Sequence, residues 1–346
     1  MEHMVRALEL ASRQRPHPNP RVGAVIVNAQ GEVIGEGAHV APGSDHAEIV
    51  ALKSASADVA GSTIYVTLEP CSHHGRTPPC ADALIAAGVS KVVVAAIDPD
   101  TNVAGSGVAR LEAAGIEVVT GVKADESEAM DPGYFHHRRL GRSRITLKMA
   151  LTLDGNAAAA DGTSQWITGD LARQDSHRLR AESDAVLVGS GTVIADDPLL
   201  DVRMVDGRQP RPVIVAGRTP LPLDARIWGR NPLVVAESGY QGPGEHVPVA
   251  TDGDGRVDVA VLARRLGELG MLDVMVEGGP HLARSLFSAG LVDRVVIYYG
   301  AKLAGGSGRN AFAGSFATLT DALDMRTKSV ELLGDDIRVE LLPRGT

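Results

Sequence analysis

The sequence predicts two α/β domains, each a sheet covered by helices, and three observations carry that expectation. Its 346 residues exceed one typical domain length. Strand-length apolar runs alternate with helix-length segments along the chain. Hydrophobic residues make up 44% and aromatic ones only 3%, so the core is built from Ala, Val, Leu and Ile, as in an ordinary α/β enzyme.

Residues 4 to 13 read as an amphipathic helix that the loop Arg15-Pro-His-Pro-Asn-Pro-Arg21 cannot continue. Strands at 22 to 28 and 32 to 37 flank the Gln30-Gly31 turn and make a hairpin. An Ala-rich helix follows at 46 to 57, with Ser44 or Asp45 as its N-cap, and then a buried strand at 64 to 68. A helix at 81 to 87 closed by Gly88, a strand at 91 to 97, a helix at 107 to 114 closed by Gly115 and a strand at 116 to 120 complete the first domain. Residues 123 to 142 are dense in charge and contain Pro132-Gly133, which suits a surface helix and a linker, with the boundary near Ser143. The basic cluster His136, His137, Arg138 and Arg139 reads as part of that solvated connector.

The second half opens with a strand at 144 to 153 and an Asp154-Gly155 turn. A helix at 170 to 181 leads to Ala185-Val-Leu-Val-Gly-Ser-Gly191, a strand with a glycine turn. Further strands fit 212 to 216, 232 to 236, 272 to 277 and 294 to 299, and helices fit 257 to 267 and 280 to 289.

A formal net charge of −9 argues against non-specific nucleic-acid binding, while leaving room for local Arg/Lys pockets around a small phosphorylated ligand. No apolar run reaches bilayer length and the N-terminus has no signal-peptide pattern, so the cytoplasm is the expected compartment, with no membrane partner.

Chemistry concentrates between Asp45 and Cys80. His46-Ala-Glu48 opens one helix, and Thr67-Leu-Glu-Pro-Cys71 with Ser72-His-His-Gly-Arg-Thr-Pro-Pro-Cys80 bridges a strand end to the next helix. In an open α/β sheet, ligands gather at such strand ends and helix starts. A zinc ion that activates water takes three protein ligands, prefers imidazole and thiolate, and needs a nearby carboxylate outside its shell to move protons. His46 and Cys71 are two such ligands, Glu48 is that carboxylate, and His74 and Cys80 compete for the third ligand position. His74 stands where the second cysteine of the usual two-residue gap would, Cys80 follows Cys71 by nine positions, and the residues alone favour neither. Either cysteine alone reads as readily as a buried packing residue. Both, however, sit in a polar Pro/Gly/His loop, and they are the chain's only two; a lone pair without a signal peptide points to metal rather than to a disulfide.

In the second half Gly189-Ser-Gly191 begins a dinucleotide fingerprint that fails at Ile194. Val274-Met-Val-Glu-Gly-Gly-Pro-His281 is better, since a strand there meets paired glycines and Pro280 suits a first helical position. Gly305-Gly-Ser-Gly308 reads equally as a ligand turn or a plain loop.

Four strings together resemble the bifunctional riboflavin-biosynthesis deaminase/reductase family across nearly the whole chain: His17-Pro-Asn-Pro-Arg-Val-Gly23, His46-Ala-Glu48, the 67 to 80 string, and Lys148-Met-Ala-Leu-Thr-Leu-Asp-Gly155. Asp131, and the stretch Asp98-Pro-Asp-Thr-Asn102, depart from the family pattern. The resemblance implies a cytidine-deaminase-like three-layer α/β/α domain over residues 1 to 143 and a dihydrofolate-reductase-like α/β domain over 144 to 346. It selects Cys80 as the third zinc ligand. It implies that Asn19 touches the pyrimidine and that His73, His74, Arg76 and Thr77 line the ribose-phosphate path. In the second domain it implies NADPH contacts from Ala150, Trp166, Thr192, Asp196 and the turn Gly279, Pro280, His281, Leu282, Ala283, Arg284 and Ser285. Substrate contacts fall to Lys148, Ser164, Arg180, Leu200, Arg203 and Glu277, with both arginines suited to the phosphate.

The resulting expectation is zinc-dependent deamination of a phosphorylated diaminopyrimidinone, followed by NADPH reduction of its ribosyl chain, in a homodimer or homotetramer. Two competing readings are a single-activity deaminase with a C-terminal binding module, and a structural zinc held by four protein ligands.

Overall fold

The computed structural model describes residues 1–72, 78–100, 103–306, 308–314, 317–318, 320 and 322–344. The chain falls into two compact units, Met1–Gly141 and Arg142–Thr346.

The first unit runs α1 (Glu2–Ser12), β1 (Gly23–Val27), β2 (Val33–Ala38), α2 (Ala47–Lys53), β3 (Thr63–Leu68), α3 (Cys80–Ala86), β4 (Lys91–Ala96), α4 (Ser106–Ala113), β5 (Glu117–Val119), α5 (Ala124–Met130) and α6 (Pro132–Leu140). Its five-stranded sheet has the order β2-β1-β3-β4-β5. β1 pairs antiparallel with β2 and β3, whereas β3, β4 and β5 run parallel. Every residue of β1 is buried, and its alternate side chains feed two cores. Ala24 and Ile26 join Ala47, Ala51 and Leu84 on one face, while Val25 and Val27 join Met4 and Ala7 on the other. Glycine sets how closely α2 lies on the sheet, because a Cβ at Gly37 would come within 2.2 Å of Ala47 O.

Two sequence expectations need correction here. The cap of α2 is His46, in extended backbone and with no side-chain capping bond, rather than Ser44 or Asp45, and the helix ends at Lys53 rather than 57. The imidazole is turned to the cysteines instead of the helix amides. The supposed linker is helical almost throughout: Pro132 starts α6, Tyr134 and Phe135 are buried, and Gly141 ends the helix in left-handed backbone at φ 67°. Two aromatic side chains packing inward outweigh the charge density that suggested a solvated connector.

The second unit comprises β6 (Arg144–Thr152), β7 (Asn156–Ala158), α7 (Asp170–Glu182), β8 (Ala185–Gly189), α8 (Ser190–Asp196), β9 (Arg211–Gly217), a 3-10 turn (Arg226–Arg230), β10 (Leu233–Ala236), β11 (Glu245–Pro248), α9 (Val259–Glu268), β12 (Asp273–Val276), α10 (Pro280–Ser288), β13 (Arg294–Gly300), β14 (Arg309–Asn310), β15 (Met325–Leu333) and β16 (Asp336–Pro343). A nine-stranded sheet follows the order β11-β10-β9-β8-β12-β6-β13-β16-β15. Its strands are parallel as far as β13, and β16 and β15 add an antiparallel edge. Ile145, Leu147, Met149 and Leu151 of β6 face a core shared with α9 and α10. Alternation puts Lys148 and Ala150 on the opposite face, with Val296, Tyr298 and α7.

The glycine turn expected after β8 is α8, a seven-residue helix. The β15–β16 hairpin has no counterpart in the sequence reading, because β15 is mostly exposed and carries Arg326, Thr327, Lys328 and Glu331 rather than an alternating apolar pattern.

Candidate active sites

In the first unit three chain segments bring the donors together. His46 precedes α2, Cys71 follows β3, and Cys80 is the first residue of α3. His46 Nδ1 lies 3.6 Å from Cys71 Sγ and 3.3 Å from Cys80 Sγ. The three donor atoms sit within 4.8 Å of one another, the one such group among the described residues. The Cys80 amide donates to Cys71 Sγ at 3.3 Å, and the Ala81 amide to Cys71 O at 3.1 Å, so the start of α3 fixes the Cys71 turn. One imidazole and two thiols at this spacing fit zinc, and three protein ligands leave the fourth position for chemistry. The alternative of a shell closed by His74 falls outside the described residues, as do His73, Arg76 and Thr77.

Two helical residues beyond His46, Glu48 is 3% exposed. Burial first, and then the neighbouring Cys71 thiolate, push its carboxyl up to about 7. Bonding to Cys80, against the opposing cost of burial, together with His46, pulls Cys71 down to about 4. Cys80 is pushed up by its bond to Cys71 and by burial.

Sequence reasoning missed two residues that hold this site. Glu69 is 4% exposed, and its carboxylate accepts the amides of Asp98, Gly105, Gly107 and Val108 at 3.2, 2.9, 2.9 and 3.2 Å. The turn leading into Cys71 is thereby tied to the start of α4. A buried acid directly before Pro-Cys was the available signal. The second is His39, 2% exposed at the end of β2. Its Nδ1 lies 3.1 Å from Asp45 O and must donate there, and burial lowers its pKa, so the ring is neutral and Nε2 accepts. Asn19 Nδ2, at 3.0 Å, donates to Nε2, which leaves the Asn19 carbonyl oxygen as the end turned away from the ring. The Asn19 loop is tied down further on, where the Arg21 amide donates to Asp131 Oδ2 at 2.6 Å.

In the second unit Lys148 (β6), Arg180 (α7) and Glu277 (end of β12) meet on one face of the sheet. Arg180 Nε and Nη2 hold the two Glu277 oxygens at 2.6 and 3.0 Å, and Nη1 donates to Asp201 O at 2.9 Å. Lys148 Nζ is 3.6 Å from Glu277 Oε2. Burial pushes the Glu277 carboxyl up, but Arg180 and Lys148 outweigh it and hold the group at about 2. In this structure both ends of the Glu277 carboxylate are thus engaged by the Arg180 fork. Arg203 pairs with Asp201 and its side chain is 52% exposed. The Arg203 amide donates to His177 Nδ1 at 3.3 Å, and burial, Arg180 and Arg203 push His177 down to about 4. Leu200 is 2% exposed and has φ 52°, left-handed backbone that costs a leucine roughly 1–2 kcal/mol.

The cofactor candidates divide. A Cβ at Gly279 would lie 3.8 Å from Thr192 Oγ1, so the starts of α8 and α10 are neighbours. No side chain caps the first turn of α10, and a Cβ at Gly189 or Gly191 would meet nothing within 4 Å. Uncapped amides beside open glycines fit the phosphates of a dinucleotide. Trp166 is 54% exposed, with the Arg173 guanidinium 4.2 Å from its ring centroid. Asp196 is exposed, while Ala150, Thr192 and Ser164 are half-buried. Pro280, His281, Leu282 and Arg284 belong to the first turns of α10, and the Ser285 hydroxyl donates to His281 O at 3.1 Å. Ala283 is 0% exposed and faces the core, which removes its side chain from any ligand surface. Gly305 and Gly308 approach β7 instead: Asn156 Nδ2 donates to Gly305 O at 3.1 Å, and a Cβ at Gly308 would be 2.3 Å from Asn156 Oδ1.

Comparison with known proteins bears on both units. The family model "RibD C-terminal domain" matches residues 143–339, and "Cytidine and deoxycytidylate deaminase zinc-binding region" matches residues 1–96. The riboflavin biosynthesis protein RibD of Escherichia coli K12 is 41% identical over 361 residues, covering 98% of each chain. RibD of Acinetobacter baumannii superposes with a TM-score of 0.88 at 39% identity, over 99% of this chain and 98% of that one. A diaminohydroxyphosphoribosylaminopyrimidine deaminase/5-amino-6-(5-phosphoribosylamino)uracil reductase from Thermotoga maritima gives 0.86 at 35% identity, over 99% and 98%.

Proposed function

The chain belongs to the RibD family of riboflavin-biosynthesis enzymes, and on that premise we infer how its residues divide two consecutive reactions. It deaminates 2,5-diamino-6-ribosylamino-4(3H)-pyrimidinone 5′-phosphate to 5-amino-6-(5-phosphoribosylamino)uracil and reduces the ribosyl group to ribityl. We assign the first reaction to residues 1–143 and the second to 144–346. The observation that carries the reading is the convergence of His46, Cys71 and Cys80 beside a buried Glu48.

His46, Cys71 and Cys80 would hold zinc, which when bound would supply the Lewis acidity that makes water a nucleophile at neutral pH. Glu48, its pKa held near neutrality by burial, takes the proton of the attacking water and returns it to the departing ammonia. Asn19, its amide oriented by His39, offers its carbonyl oxygen to a ring N–H or amino group. His73, His74, Arg76 and Thr77 are assigned to the ribose-phosphate path.

NADPH supplies the hydride for the second reaction. Gly279 to Leu282 with Thr192, and Trp166, Ala150 and Asp196, are the residues assigned to hold it. Glu277 is kept ionised with Lys148 Nζ 3.6 Å from it, so the pair is suited to the ribose hydroxyls. Arg203, the more exposed guanidinium, is assigned to the phosphate, with Ser164 and Leu200 at the pyrimidine. Arg180 orients Glu277. A homo-oligomer and a cytoplasmic location are part of the same proposal; among the described residues no helix is long and apolar enough to cross a membrane.

The test is Glu48→Gln. Ammonia release should fall by at least about a thousandfold while zinc content stays near one ion per chain, since proton transfer rather than ligation is lost. A variant that still releases ammonia at the unaltered rate rules out Glu48 as the shuttle.

A further inference from the structure

Tyr298 joins two polar groups of the second unit, and none of the site assignments above uses it. It lies on β13, opposite Ala150 on β6 and Arg338 on β16, and is 1% exposed. Its hydroxyl donates to Asp175 Oδ2 on α7 at 2.7 Å, and Arg338 Nε is 3.1 Å from the same oxygen. Burial and then Asp175 push the phenol up, so the hydroxyl keeps its proton and the bond runs only from Tyr298 to Asp175. The ring plane is fixed by that bond and by the two neighbouring strands.

Against this ring stands Lys148, its Nζ 5.8 Å from the ring centroid. Among the described residues the ion-pair partner of the ammonium is Glu277, whose oxygens it shares with the Arg180 fork. Burial, the largest influence, holds the Lys148 pKa below the usual lysine range, Arg180 lowers it further and Glu277 raises it. With Glu277 divided in this way, a second electron-rich surface decides where the ammonium rests, and an aromatic face in a desolvated site is such a surface.

We propose that Tyr298 is a positioning residue for the reduction: anchored through its hydroxyl to Asp175, it presents its ring face to the Lys148 ammonium and holds that charge toward the substrate beside Glu277. The proposal rests on the assignment of Lys148 to the substrate, and the experiment separates the two.

Full-length, zinc-loaded enzyme is assayed for NADPH oxidation with 5-amino-6-(5-phosphoribosylamino)uracil, and NADPH affinity is measured by fluorescence. Tyr298→Met fills comparable space without a ring. It should raise KM for the aminouracil by roughly tenfold while NADPH affinity stays within about twofold. Tyr298→Phe, which restores the ring, should bring KM back to within about threefold of the unaltered enzyme. In a Lys148→Met background, Tyr298→Met should add nothing, because the group it positions is gone. The proposal is overturned if the Tyr298→Met effect persists at full size in that background, or if Phe and Met are equally impaired. A kinetically silent Lys148→Met overturns the Lys148 assignment and the proposal with it. Should Tyr298→Met also lose NADPH binding, the decision passes to Tyr298→Phe, where a tenfold KM rise with normal NADPH affinity overturns the role of the ring.

Discussion

Glu48 and His177 show how burial sets the charge of single residues in this chain. Burial holds Glu48 near the pH at which a shuttle must both take and give a proton. His177 is pushed the other way, down to about 4, first by burial and then by Arg180 and Arg203. In the unfolded chain its imidazole takes up a proton near about pH 6.5. Between those values the unfolded state binds a proton that the native state refuses. The neutral ring's contribution is therefore complete above about pH 6.5 and is lost as the pH falls toward 4. His177→Gln should accordingly lose less thermal stability than the unaltered chain between about pH 7 and about pH 4.5, followed through the NADPH-dependent melting transition. Parallel losses in the two proteins would leave His177 without this role. Neither burial was visible as such in the sequence: Glu48 was found from its spacing to His46, whereas His177 lies in a polar helix whose pattern gives no sign of a buried imidazole.

Among the elements, α4 lies close against the turn that carries the metal donors. Its Gly107 packs on the turn before Cys71, where a Cβ would fall 2.0 Å from Pro70 O and 3.1 Å from Glu69 Oε1. Gly107→Ala must push the helix off the turn or distort the Glu69 staple, at a cost of about 1–3 kcal/mol. Chemical denaturation should register that loss, and dialysis against a weak chelator should strip metal faster, since Pro70 leads directly into Cys71. Unchanged stability and metal retention would mean that α4 can back away freely. The strands and helices that carry the sites were legible because they are apolar runs bounded by glycine or proline, such as β1, β4, β8 and β13. What escaped were elements stabilised by tertiary contact rather than by local pattern: α6, held by Tyr134 and Phe135, and β15, an exposed edge held by its ladder to β16. The N-cap of α2 escaped for a chemical reason, because His46 serves the cysteines and leaves the capping bond unmade.

Across the whole molecule, each unit has its own sheet and its own pair of cores, and all three metal donors belong to the first. The two reactions should therefore be separable in one chain. Treatment with a strong chelator is expected to abolish ammonia release, while NADPH oxidation with preformed aminouracil persists at more than about half its rate. Joint loss would show that metal removal unfolds both units. The division was legible from length and from the change of motif type near Ser143. The commitment of Arg180 to Glu277 was not, because a guanidinium in sequence offers the same fork to a phosphate and to a carboxylate.

The bond between the Arg21 amide and Asp131 spans 110 residues, and it orders events in time. During synthesis the zinc donors and the His39 partner of Asn19 are all present once Cys80 has been made, but the Arg21 tie waits until α5 has emerged. The three metal donors are thus in the chain before the partner of the Arg21 amide, and the order of synthesis separates the metal site from the last tie on the Asn19 loop.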